Sequence, residues 1–483
     1  MKKIFLAIFL ATLAIGLAAC GNGGGKKENK ITYAAWNLGN PQDYNIERRM
    51  INEFMVQNPG VEVEVIERPK IVDEEGNESD VGWNEFFASR AAIDDMPDVF
   101  LVSSVIEVVS NGWIEDVKDL AEADPDFLKV PENIRDSGRL GKGLYGLPSG
   151  MFYFGYFINR TVINSTGSGA VIPEYGITFD ELLVAAEKNS KPATLGGDGI
   201  SGIQGVSEIF SWLPAQLDET LGWYTYNEEG YHLDSEAFRV AMAETQKYFG
   251  PNKNQYSGYV HETQENTEDL YGSGDAFANG KQSIRFEGSF NIRGWVGGTS
   301  DPEHNLYGHD VDFIGTPSVM VNDKKVHRIP TIIDYIGVGK GTKNKELSYK
   351  FAKWMGFGVD GYKKRLEIAK NNPEAGAVNF APLIKDQTLI DTYFELYPTM
   401  TEFRKIVETH DDFIVESLHK IVPGYVNSRW DGRYNADMSI ANALDAIRNG
   451  ELSLADALEA GLNRVINEEY QKAKTELDKV LNK

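Results

Sequence analysis

A single cysteine, Cys20, stands among 483 residues. No disulfide can close within the chain, so its fold has to be held by apolar cores alone. The length allows two or more lobes of ordinary size, each with its own core. Apolar residues make up 42% of the chain and charged residues 25%, which are globular values.

The position of the cysteine is informative. Lys2 and Lys3 give a positive start, Ile4 to Leu17 is almost wholly apolar, and Leu17-Ala18-Ala19-Cys20-Gly21 follows. The apolar run has the length of a signal-peptide core and falls short of the ~20 residues a spanning helix needs. The segment resembles a bacterial lipobox, which implies cleavage before Cys20 and a diacylglycerol on its sulfur. Residues 1–19 are then a signal peptide, and residues 20–30 a Gly- and Lys-rich tether too polar to pack. Such a lipid holds a protein at the extracytoplasmic face of a membrane without spanning it. The formal net charge is −24, and cleavage would remove Lys2 and Lys3 to leave −26 (−24 − 2). A surface that acidic repels nucleic acid and anionic lipid.

Beyond the leader, Ile31 to Trp36 reads as a buried strand, and Asn37 to Pro41 as a turn cluster. Ile46, Met50, Ile51, Phe54 and Met55 recur at helical spacing until Asn58-Pro59-Gly60. Val61 to Ile66 alternates strictly, as a half-exposed strand does. Strand, helix, strand predicts an α/β layer. Further on, the pattern predicts helices over 83–93 and 114–121 and an apolar strand over 98–102 ending at Ser103-Ser104. It also predicts strands over 151–158, 283–286 and 329–338, a helix starting at the capping box Thr178…Glu181, and a mainly helical end after 381. No internal repeat occurs.

The chemistry-bearing motifs of common enzymes are missing. The seven histidines are scattered, there is no HExxH pair, and no GxSxG elbow or P-loop occurs. Cys20 being the lipid site, zinc has no evident cage. Carboxylates are abundant, so a glycosidase-like acid/base pair stays open on sequence alone.

Seven stretches together resemble family 1 extracellular solute-binding proteins, the sugar-type receptors of ABC importers. They are "ITYAAWN…INEFMVQNPGVEVEVI", "MPDVFLVS…NGWIEDVKDL", "YGLPSGMFYFGYFINRTVI", "TFDELLVAAEK", "FANGKQSIRFEGSFNIRGW", "GVGKGTKNKELSYKFAKWM" and "RNGELSLADALEAGLNRV". They lie in family order over roughly residues 30–466. The resemblance implies an α/β, two-lobed periplasmic-binding-protein-like fold of type II, with discontinuous lobes joined by hinge crossovers. Residues 31–148 and 332–375 would form the N-terminal lobe, and 149–331 and 376–483 the C-terminal lobe. Crossovers are expected near Pro148–Gly150, Pro330–Asp334 and Gly376–Asn379.

The resemblance also implies contact residues. The loop after the first strand gives Trp36, Asn37 and Asn40; Trp36 equally suits a core and the asparagines a turn. Ser103 and Ser104 follow the 98–102 strand, where Ser103 equally suits a helix cap. The aromatic and charged residues that maltodextrin-binding members carry there are absent. Of Phe152 and Tyr153, one should face the cleft, because strand neighbours point to opposite sides. Trp212, Phe290, Trp295, Asp334 and Tyr335 match further contact segments, and Trp430, Asp431 and Arg433 share a late loop. Phe290 stands where the family often has a tryptophan stacking on a sugar face. The expected protein is a monomeric, lipid-anchored receptor. It would hold a mono- or oligosaccharide between its lobes for a two-subunit ABC permease, with no cofactor, no metal and no catalysis. The alternatives are a secreted carbohydrate-active enzyme and a receptor of the same fold for a non-sugar solute.

Overall fold

The computed structural model describes residues 29–481 apart from 43, 73–75, 77, 103, 252, 297–305, 307 and 416–432. Cys20 and its leader, and the expected contact residues Ser103, Trp430 and Asp431, lie outside the described residues.

Strand β1 (Lys30–Ala34), helix α1 (Ile46–Gln57) and strand β2 (Glu62–Val65) form the opening unit. Asn45 caps α1 by accepting from the Arg48 N–H, and Ile46, Met50, Ile51 and Phe54 make its buried face. In β2, Val63 is buried while Glu62 and Glu64 are exposed, the alternation of a one-sided strand. β1 pairs in parallel with β2 and with the wholly buried β3 (Val99–Val102). Thr32 clamps β1 to the start of β3, its N–H and hydroxyl both donating to Asp98 at 2.8 Å.

Two long strands then organise the molecule. β4 covers Leu147–Asn159, and after β5 (Ser201–Gln204), β6 (Gln282–Gly288) and β7 (Val311–Gly315) comes β8 (Ile329–Val338). With β9 (Phe413–Val415), these strands make one nine-stranded mixed sheet among the described residues, in the order β2-β1-β3-β8-β4-β6-β5, with β7 beside β4 and β9 beside β8. Tyr335–Val338 of β8 pair with β3, and Ile329–Thr331 with β9. Leu147 and Pro148 of β4 lie against Ile336 and Tyr335, while Phe154–Ile158 pair with β6. The same two antiparallel strands therefore serve both halves of the sheet.

The apolar spacing over 114–121 does not make a single helix. Only Lys118–Glu122 is helical. Ile114 bridges Gly339, and the Glu115 N–H donates to Val338 O at 2.8 Å, so this stretch extends the end of β8 instead. Helices α2 (Lys345–Met355) and α3 (Val359–Asn371) pack against α1, with Phe54 and Phe351 ring centres 5.0 Å apart and Trp354 donating to Met50 O at 2.9 Å. A separate apolar cluster joins Phe238 and Met242 to Ile440, Leu444, Ile447 and the C-terminal helix Leu462–Leu481.

At the start of β8 lies a packed aromatic group in which His410 is buried and His327 and Tyr175 are half-buried. The rings of His327 and His410 are 4.9 Å apart, and Tyr175 meets His410 Nδ1 at 2.9 Å. His327 Nε2 bonds Thr316 O at 2.7 Å and His410 Nε2 bonds Asp412 O at 2.8 Å, contacts that require N–H on both Nε2 atoms.

Candidate functional site

A cavity of about 470 Å³ opens where β4 and β8 run between the two halves of the sheet. Its floor follows from strand parity. Ile332, Asp334 and Ile336 line it, while Ile333 and Tyr335 point the other way into the core. On β4, Gly150 and Phe152 line it and Tyr153 is buried on the opposite face. Asp334 lies opposite Gly150 and Tyr335 opposite Pro148, so Ser149 is an extra residue in the ladder. This bulge re-aims the strand and adds Ser149 to the lining.

One wall comes from the turn after β1. Asn45 donates to Asn37 O at 3.1 Å and fixes that turn. The Trp36 ring is 38% exposed and lies edge-on to Trp83, at 6.1 Å, and the Arg68 guanidinium sits 4.3 Å from the Trp83 ring centre. Asn37 lines the cavity, and its Oδ1 is buried with no hydrogen-bond partner among the described residues. The facing wall carries Phe290, 38% exposed, propped edge-on by Phe152 at 6.0 Å and Phe154 at 5.9 Å. Arg293 of the short helix Ile292–Trp295 lies beside it.

The third side is a buried ion pair on α1 and α3. Arg365 grips both Glu47 carboxylate oxygens, one bond being 3.0 Å, and also donates to Met355 O at 3.0 Å. Its guanidinium lies 5.2 Å from the Phe380 ring centre. Burial, with Glu47 adding to it, pushes the Tyr33 phenol far above its usual range, so Tyr33 is a neutral wall. Gly376, at φ 96°, turns the chain so that Ala377, Asn379 and Phe380 reach the cavity.

Residues 39–356 match the family of bacterial extracellular solute-binding proteins. The chain belongs to that family. Solved structures share its two-lobed α/β fold. An ABC substrate-binding protein from Listeria monocytogenes in complex with cycloalternan is 18% identical, with a TM-score of 0.61 and coverage of 92% of this chain and 99% of that one. A sugar transporter from Rhizobium etli in an open conformation is 14% identical, with a TM-score of 0.60 and coverage of 92% and 99%. A cyclo/maltodextrin-binding protein complexed with maltotetraose is 14% identical, with a TM-score of 0.60 and coverage of 93% and 99%. No curated protein matches the sequence.

Of the contact residues expected in this solute-binding protein, the cavity brings together Trp36, Asn37, Phe152, Phe290 and Asp334. Five of the others, Ser104, Tyr153, Trp212, Trp295 and Tyr335, take structural places. Ser104 is fully buried and caps the helix Val105–Ser110. Tyr153 packs on Phe403 and Phe413, and Tyr335 is buried with its hydroxyl donating to Ser137 O at 3.2 Å. Trp212 lies in the core against Phe179, and Trp295 against Phe157 and Phe277. Asn40 is exposed outside the lining, and Arg433 is exposed with its guanidinium turned to Ala436 O. Glu47, Arg293, Arg365, Asn379 and Phe380 line the cavity without having been expected there. Arg293 alone had a local signal, one turn past Phe290; Glu47 and Arg365 meet across 318 positions. Among the described residues no group of three or more His, Cys, Asp or Glu is placed to hold a metal ion, and no helix is long and apolar enough to cross a membrane.

Proposed function

We propose that this protein is the receptor of an ABC importer, takes a mono- or oligosaccharide into the cavity and delivers it to a two-subunit permease. The observation that carries the reading is the cavity's composition. Two half-exposed aromatic rings, Trp36 and Phe290, stand with the polar side chain of Asn37 in the wall and with Ser149 and Asp334 on the floor. Ring faces suit the apolar faces of a pyranose, and the polar groups suit its hydroxyls. The named ligands of the similar structures, cycloalternan and maltotetraose, are saccharides and support the same class.

The division into lobes at 31–148 with 332–375, and 149–331 with 376–483, is supported near two of its breaks: β8 turns to β3 from Tyr335 on, and β4 turns from β8 to β6 after Tyr153. Bending there would close the lobes on a ligand. A lipid on Cys20 would keep the receptor at the membrane beside its permease.

The test is a thermal-shift screen of the purified protein against a saccharide panel. A ligand at 100 times its Kd stabilises the native state by about 2.7 kcal/mol, a readily measured rise in melting temperature. If no saccharide raises it while another solute class does, the sugar assignment fails and the receptor assignment stands. Release of shortened products from the panel would instead favour the enzyme alternative.

A further inference from the structure

Two acidic and two basic side chains line the cavity, and they are not equivalent. Glu47 and Arg365 neutralise each other through two bonds. Asp334, on the β8 side, has interactions of its own. Arg293 differs: among the described residues its guanidinium has neither an ion pair nor a hydrogen bond. The chain carries 72 acidic against 48 basic residues, so carboxylates to pair with it are plentiful. Arg293 is exposed, so its charge is held by water at the cavity's rim as the structure stands.

Its placement gives that charge a meaning. Arg293 follows Phe290 by three residues, across the 3₁₀ turn Ser289–Asn291 and the helix Ile292–Trp295. Side chains three apart on a helical path lie on one face. An exposed ring and a fork of N–H donors therefore stand side by side on the same wall. Closing the lobes would strip water from the guanidinium, and a desolvated, unpaired cation is costly. A neutral sugar leaves that cost in place, whereas a ligand carrying a carboxylate removes it. The planar fork of an arginine matches a carboxylate with two parallel bonds.

We propose that the ligand is an acidic saccharide: a uronic acid residue rests on Phe290 and places its carboxylate on Arg293. The proposal rests on the saccharide reading above and narrows it.

The test pairs neutral saccharides with their uronate counterparts: galactose with galacturonate, glucose with glucuronate, mannose with mannuronate, and xylo-oligosaccharides with and without glucuronate branches. Dissociation constants are measured for the purified protein and for Arg293→Gln. The tightest binder is expected to be an acid, about tenfold tighter than its neutral partner. R293Q should erase that ratio at an unchanged melting temperature, and raised salt should shrink it. A neutral sugar as tightest binder, or a ratio unmoved in R293Q, overturns the proposal and leaves the saccharide reading intact. Failure of every member, neutral and acid, overturns both.

Discussion

The histidine pair at the start of β8 makes the stability of this protein acid-sensitive in a calculable way. Burial, with the neighbouring His410 adding to it, pulls His327 from 6.5 down to about 4. Burial pulls His410 down as well. A depressed histidine is neutral in the folded state at a pH where the unfolded chain is already protonated. Folding stability is therefore intact above 6.5, falls as the pH drops toward about 4, and levels off below. At pH 5.0 the drop covers about 1.5 pH units, which at 1.36 kcal/mol per unit is about 2 kcal/mol from His327 alone. Substituting His327→Gln removes the titration while keeping an N–H that can donate to Thr316 O, the bond seen at 2.7 Å. Urea unfolding of the parent and H327Q at pH 7.5 and 5.0, followed by circular dichroism, gives the comparison. The parent should lose about 2 kcal/mol more on acidification than H327Q. Equal losses in the two proteins would show that His327 is not held neutral by its surroundings, and the reasoning would fail.

Three further outcomes are expected. Replacing Phe290 by alanine should weaken saccharide binding about tenfold by calorimetry with little change in the ligand-free melting temperature, because the ring is already 38% exposed; undiminished affinity would remove it from the site. Trp212→Ala should cost about 3–5 kcal/mol, since the ring is fully buried, and a variant as stable as the parent would contradict that placement. Glu47→Gln leaves the Arg365 guanidinium, 4% exposed, without a counter-charge and should lower stability by roughly 3–5 kcal/mol in urea unfolding, a loss that the companion Arg365→Met largely restores.

Local pattern made part of this architecture readable and left the rest to tertiary context. The opening strand, helix and strand followed from alternation and from the spacing of Ile46, Met50, Ile51 and Phe54. Parity restricted the cleft side to one of Phe152 and Tyr153, but choosing Phe152 needed the neighbours that bury Tyr153, namely Phe403 and Phe413. Trp295 and Phe290 belong to the same motif, yet five residues at 3.6 per turn leave them about 140° apart, so one faces the cavity and the other the core. Aromatic residue type gave no warning of this, because a ring suits a core as well as a sugar. The Glu47–Arg365 pair had no local signal at all; only the packing of α1 on α3 brings it together.

The strands shared between the lobes also bear on how the protein is made. Tyr335 follows Val102, its partner across β3 and β8, by 233 positions (335 − 102). At roughly 5–20 residues per second, the N-terminal sheet waits on the order of 10–50 s for its last strand to emerge. Neither lobe can finish on its own from a contiguous stretch of nascent chain. For an extracellular protein that delay is useful, because a polypeptide that cannot yet close its sheet stays in a form that can be threaded out of the cell.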